Sequence, residues 1–233
     1  MFLSSQKKRV LLVSPGIIIL FTWLIFVPAG TWLKARAFNP PASTMIDSVY
    51  LVAGARDMER RIEKVIDIIH NQKSNVRKVL IPDDRQAWKW SKKAGRNLSV
   101  TEWAKERIED EMMKIYGASV SQPELRIVTG SFAGTDTEME VLADFLKSTS
   151  DIHSLVIVTS PYHARRAYYR LTAHLAHARH TVNGIKLFVA SPDERFSDRL
   201  PWITLSELVK IVRDWLGLSR LPFISRHKIK EYL

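Results

Sequence analysis

Five short runs of strand-forming, largely apolar residues recur after residue 47, and a stretch with helical periodicity follows each. The runs are "SVYLVAG" (48–54), "KVLIPDD" (78–84), "LRIVTG" (125–130), "LVIVTS" (155–160) and "KLFVAS" (186–191). The helix-like stretches are about 57–70, 102–116, 136–147, 161–178 and 203–216. A strand that is apolar at nearly every position needs cover on both faces, which a parallel sheet between two helix layers supplies. The alternation predicts an α/β fold, a Rossmann-like three-layer sandwich with a mainly parallel sheet. A length of 233 residues suits one such domain and an appendage.

The appendage is at the start. "VLLVSPGIIILFTWLIFV" (10–27) holds no charge over 18 positions. As a helix it is about 27 Å long, enough to cross a hydrocarbon core. Pro15 and Gly16 are tolerated in such spans, and Trp23 and Trp32 suit an interface. The expected organisation is a basic segment 1–9, a transmembrane helix or signal anchor 10–28, a linker 29–46 stiffened by "NPPAS", the α/β domain 47–217, and a basic tail 218–233. Lys7, Lys8 and Arg9 ahead of the span favour a cytoplasmic N-terminus. The expectation is a single-pass plasma (inner) membrane protein, its soluble domain extracytoplasmic. Lys34 and Arg36 weaken that asymmetry, and a signal peptide cleaved near "ARA" (35–37) is the competing reading.

A formal charge of +11 suggests nucleic acid until it is located. Five basic and no acidic residues fall in 1–36, so the rest sets 30 basic against 24 acidic side chains. Much of that excess lies in Arg85–Arg96 and in the tail, which suits a membrane surface or a phosphorylated ligand. No zinc knuckle, helix-turn-helix or RNP pattern is present, and no nucleic-acid partner is expected. Cysteine is absent, which removes thiolate and disulfide chemistry. No cofactor is indicated: G-x-G-x-x-G, G-x-S-x-G, Walker and H-E-x-x-H patterns are all missing.

Ligands of open α/β sheets bind beyond the carboxyl ends of the strands. In "TSPYHARRAYYR" (159–170) a strand ends, Ser160 and Pro161 suit a helix start, and cations crowd the first turns. His163, Arg166 and Arg170 share one helical face, where something negative is needed to offset the helix dipole. A bound oxyanion or phosphate is one answer; packing of His163 beside solvated arginines is the other. The histidines of 174–180 read as surface residues without a carboxylate partner. In "GSFAGTDTEMEVL" (130–142), Thr135 or Asp136 can cap a helix with Glu138 closing a capping box. Equally, Thr135 and Thr137 can hold phosphate oxygens, with Glu138 as acid or base. Asp83 and Asp84 can ligate a divalent cation, although adjacent acids more commonly serve turns and caps, so no metal is expected.

These residues carry a resemblance. "VIVTSPYHARRA" (156–167) resembles the V-T-s-x-Y-H-x-x-R-A signature of the YdcF/SanA/ElyC-type proteins, a bacterial group that is often membrane-anchored. "GTDTEMEVL" (134–142) is similar to that family's S-x-T-x-E-N-A element, and "RIEKV" after "YLVAG" to its first arginine. The resemblance implies a Rossmann-like domain linked to envelope and polysaccharide biogenesis. It implies Arg61, Thr135, Thr137, Glu138, His163 and Arg166 as site residues, with His163 and Glu138 as catalytic candidates and the others as ligand-binding ones. Ser160 and Tyr162, by their place just after a strand, are further ligand-binding candidates. Two positions depart: "IPDD" stands where the family has a Ser-Gly-Gly turn, and Met139 replaces an asparagine. The expected ligand is an anionic, phosphorylated small molecule or lipid-linked sugar, bound and then hydrolysed or transferred. The second reading is a non-catalytic binding or scaffold protein of a membrane-bound synthesis complex. A third is a cytoplasm-facing nucleotide or methyl-donor binder.

Overall fold

The computed structural model describes residues 28–33, 46–54, 57–71, 76–117, 122–130, 132, 134–176, 184–193 and 201–216. The run 10–27 lies outside them, and among the described residues no helix is long and apolar enough to cross a membrane.

Five parallel strands form the central sheet: β1 (Ser48–Leu51), β2 (Lys78–Pro82), β5 (Glu124–Val128), β6 (Ser154–Val158) and β7 (Lys186–Ala190). Their spatial order is β5-β2-β1-β6-β7. β1, β2 and β6 are buried at every position, as their near-continuous apolar runs require. Each of the five predicted runs forms a strand, shorter at its carboxyl end because the terminal Gly, Asp and Ser residues turn out of the ladder. A latch at the amino edge fixes the register of the three central strands. Asp47 accepts from the N–H groups of His153 and Ser154 (both 2.9 Å) through its carboxylate, and from Arg77 and Lys78 N–H through its carbonyl.

Helices cover both faces. α1 (Met58–Asn71) and α2 (Val100–Tyr116) occupy one, where Ile62, Val65, Ile69, Ala104, Ile108 and Met112, spaced by three or four, meet Val49, Leu51, Val79 and Val156. α3 (Thr135–Ser148) and α4 (Ala164–Ala176) occupy the other, through Met139, Leu142, Leu146, Ala167 and Leu171. A 3₁₀ turn, Pro161–His163, leads into α4, and α5 (Pro201–Trp215) follows β7. The chain is thus α/β, with a parallel sheet flanked by helices in the strand order of Rossmann-like folds.

Two features escape the periodicity. Ala87–Ser91 (β3) and Arg96–Ser99 (β4) pair as an antiparallel hairpin between β2 and α2. Their mixed polar and aromatic sequence has no clean alternation, and a register shift between Ala87 and Lys89 interrupts the period of two. Ser99 then caps α2 in a full capping box with Glu102. Residues 28–33 are helical, with Leu33 fully buried, where the end of the span at 28 and the start of an extended linker at 29 were expected.

Candidate functional site

The strand order reverses between β1 and β6: the chain steps outward from β1 through β2 to β5, then crosses to β6 and β7. Such a switch leaves a crevice at the carboxyl ends of the two central strands. Residues from both helix layers converge there on the backbone that leaves β1.

From one face α1 sends Arg61, 3% exposed, which donates from Nη1 to the carbonyls of Val52 (2.5 Å) and Ala53 (2.9 Å) and from Nη2 to that of Gly54 (2.5 Å). Gly54 has φ +106°, so a Cβ there is strained. From the other face α3 sends Glu138, 4% exposed, whose Oε1 accepts from the Ala53 N–H (2.6 Å) and the Tyr50 hydroxyl (2.9 Å). Among the described residues both bonds fall on Oε1, which leaves Oε2 for a proton or a ligand. Burial pushes Glu138 up to about 7, against the pull of the Ala53 N–H, the Tyr50 hydroxyl and the Arg61 charge. Burial raises Tyr50 well above its ordinary value, and the Glu138 charge adds to this. Burial alone lowers Arg61, opposed by the surrounding carboxylates.

Asp57 closes the β6 side. It holds φ +58° at the start of α1, and its Oδ2 accepts from Tyr162 OH (3.0 Å) and Ser160 Oγ (3.3 Å). A non-glycine residue in this region is strained, and asparagine and aspartate bear it best. Asp84, beyond β2, accepts from Gly54 N–H at 3.3 Å and from Gln86 N–H at 3.1 Å. Thr159 Oγ1, buried at the end of β6, has no hydrogen-bond partner among the described residues.

The expected residues therefore separate into two groups. Arg61, Glu138, Ser160 and Tyr162 come together at the crevice. His163 and Arg166 turn to α5 instead. His163 Nδ1 lies 2.8 Å from Glu207 Oε2, and Arg166 reaches Glu207 Oε2 through Nη1 and Asp214 Oδ2 through Nε, each at 3.1 Å. Arg170 Nε sits between Asp214 (3.4 Å) and Asp136 (3.3 Å), and His174 Nε2 is 3.1 Å from Asp136. The negative charge that this cationic face calls for is the protein's own. Burial raises Glu207, but the His163 contact and the Arg166 and Lys210 charges outweigh it and hold the group at about 2. Burial holds the His163 imidazole below its ordinary value. Neutral at physiological pH, it leaves Arg166 and Lys210 as the cations that Glu207 pairs with. His174, read as partnerless, has a carboxylate partner because α3 packs beside α4.

The α3 entry is settled differently from either sequence alternative. Gly134 is the cap, and Thr137 Oγ1 accepts from its N–H at 3.1 Å. Thr137 is thus a capping residue, Thr135 opens the helix, and Glu138 is released from capping to point inward. Asp83 pairs with Arg85 (2.9 Å) while Asp84 serves backbone groups, and among the described residues no three His, Asp or Glu side chains converge as a metal site.

Sequence reasoning missed Tyr50, Asp57, Glu207 and Asp214. Tyr50 is the one hydroxyl-bearing aromatic of its strand, which was a usable signal. Glu207 and Asp214 look like ordinary polar-face residues of α5 until the helix is seen to bury that face. Two clefts lie away from the crevice: about 410 Å³ between α1 and α2, beside Glu63, Trp103 and Asp110, and about 260 Å³ between α4 and α5, beside Tyr169 and Ile211. No family model, curated protein or solved structure matches the chain.

Proposed function

We propose that this chain is a single-span, membrane-anchored protein of the YdcF type acting in cell-envelope or exopolysaccharide assembly. Its β1–β6 crevice binds a phosphorylated small molecule or lipid-linked sugar, and Glu138 moves the proton as the phosphate ester is hydrolysed or transferred. The observation that carries the reading is a buried carboxyl held near neutrality at the switch point of the sheet.

The surroundings support an oxyanion. The N-terminal ends of α1, α3 and the turn into α4 all follow strand ends at this edge, and each bears partial positive charge. Arg61 adds a full charge beneath the Val52–Gly54 backbone, and Ser160 and Tyr162 supply hydroxyls. An anion beside Glu138 favours its protonated form. As water or an acceptor hydroxyl attacks phosphorus and the bond to the leaving oxygen breaks, protonated Glu138 gives that oxygen its proton. The attacking group releases one to solvent. His163 and Arg166 take no part, because Glu207 and Asp214 already neutralise that face. The uncharged run 10–27 supports the anchor.

Calorimetry of the full-length protein in detergent tests this, with geranyl pyrophosphate at pH 7 in buffers of different ionisation enthalpy. Binding is expected to draw up about half a proton, the unprotonated share of a group with pKa near 7. Glu138→Gln abolishes the uptake, and His163→Ala keeps it. No binding heat, or the same uptake in Glu138→Gln, overturns the assignment. The scaffold reading is favoured by Arg61, which donates to three main-chain carbonyls as a purely structural group does. Recovery of the same membrane partners by wild type and Glu138→Gln, with no ligand heat in either, decides for it.

A further inference from the structure

α5 is built inside out. Its two carboxylates and Thr204 face the domain beside Ile203: Glu207 is 1% exposed, and Asp214 and Thr204 are 5% exposed. Five of its large apolar residues face away: Trp202 is 63% exposed, and Leu205, Val209, Val212 and Leu216 lie between 48% and 55%. Leu216 continues the helix through its N–H bond to the Val212 carbonyl. The outward positions step by three and four, so they form one uncharged stripe about 21 Å long. A helix that buries its carboxylates and presents Trp, Leu and Val reverses the arrangement expected beside water.

What covers the stripe is indicated by what the chain places at its two ends. Residues 28–33 pack on the start of α5: a Cβ at Gly30 would lie 3.4 Å from Thr204 Oγ1. Leu33 is fully buried, and the Arg165 guanidinium sits 3.9 Å from the Trp32 ring centroid. This segment directly continues the uncharged run 10–27. Past Leu216 the sequence turns basic, with Arg220, Arg226, Lys228 and Lys230 against Glu231. One end of α5 thus abuts the exit of a hydrophobic span, and the other leads into cations that suit anionic headgroups. Half-exposed Trp32 and exposed Trp202 both belong to the end where that exit meets α5. Indoles concentrate at this level of a bilayer.

We propose that α5 lies in the plane of the bilayer interface, with Trp202, Leu205, Val209, Val212 and Leu216 buried at the boundary between headgroups and acyl chains. The proposal rests on the reading of 10–27 as an anchor. It adds that the domain is seated on the membrane through α5 rather than tethered at a distance. Arg166 and Arg170 hold α5 in this attitude by its two carboxylates.

A chain without cysteine makes the test direct. Single variants Val209→Cys, Val212→Cys, Asp110→Cys and Ile18→Cys of the full chain carry a nitroxide label. Each is reconstituted in vesicles of phosphatidylethanolamine and phosphatidylglycerol. Labels at 209 and 212 are expected to be open to oxygen and shielded from an aqueous nickel chelate, at about 5–10 Å below the headgroups. The label at 110, on exposed α2 surface, shows the reverse. Nickel access at 209 and 212 with lipid exposure at 18 overturns the proposal and leaves the anchor standing; nickel access at all three overturns both. Exclusion of both reagents at 209, with spin–spin broadening relieved by unlabelled protein, assigns the stripe to a second copy. Exclusion of both without broadening assigns it to a segment of the same chain. Either result also overturns the proposal.

Discussion

Moving the Glu138 carboxyl from water to its place beside Tyr50, Ala53 and Arg61 has a consequence for stability that can be signed. Its folded pKa, about 7, stands above the ordinary 4.5, so between those values the native state holds a proton that the unfolded state has lost. The stabilisation from this group is complete below about pH 4.5 and is lost as pH rises through about 7. Its size is on the order of 3 kcal/mol. Glu138→Gln keeps an oxygen for the Tyr50 and Ala53 donors but has no proton to lose. It is expected to flatten the fall in Tm between pH 5 and 9 and to be more stable than wild type at the alkaline end, read by thermal denaturation. Tyr50→Phe removes a hydrogen bond that favours the carboxylate, so the Glu138 pKa rises further, measured by carboxyl carbon NMR. An unmoved resonance midpoint contradicts the bond. Glu138 was legible in the sequence by residue type and by place after a strand, and Arg61 only through the family resemblance. Asp57 was not, because nothing in "GARDMERR" reveals a left-handed backbone that turns a carboxylate toward Ser160 and Tyr162.

α4 and α5 are joined by charge where most helix pairs are joined by apolar packing. Arg166 is 5% exposed between Glu207 and Asp214, so removing it takes the most deeply buried cation from both carboxylates and leaves them only the more exposed Lys210, Arg170 and Arg213. Arg166→Met is expected to cost about 3–5 kcal/mol in denaturant titration, and adding Glu207→Leu and Asp214→Leu to recover most of it. Acid acts on the same joint. The Glu207 pKa is depressed from 4.5 to about 2, so its stabilisation is present above about 4.5 and lost as pH falls through about 2. Glu207→Gln removes that part of the acid transition while leaving the alkaline behaviour set by Glu138 unchanged. Beside the α3 helix of this layer, in the loop that follows β5, Gly130 is required by space. A Cβ there would sit 2.6 Å from a methyl of Val141 on α3. Gly130→Ala is expected to cost about 1–3 kcal/mol, and Val141→Ala in the same chain to relieve it. Equal stability of the single and double variants would falsify the contact. His163, Arg166 and Arg170 were legible as one helical face, since spacing alone fixes it. Their partners were not, because Glu207 lies 41 residues from Arg166 and only packing brings the two together.

The whole molecule is a two-sided α/β layer whose switch point carries Glu138 and whose α5 presents an uncharged face outward. If 10–27 is the anchor, the full chain sediments with membranes and withstands alkaline carbonate washing, and a C-terminal alkaline phosphatase fusion is active outside the cytoplasm. Resistance to washing that is lost when 10–27 is replaced by a polar segment ties the behaviour to that run. The strand runs, the helices between them and the crevice edge were all readable, because burial on two faces and helical amphipathicity write themselves into residue spacing over a few turns. The β3–β4 hairpin escaped for want of such spacing. Local pattern thus determined the secondary structure, the sheet type and the list of polar residues at strand ends. Only the tertiary structure decided which of those residues face one another, sending Glu138 to the crevice and giving His163 and Arg166 to α5. Charge pairing acts over a few ångströms in space, and distance along the chain does not encode it.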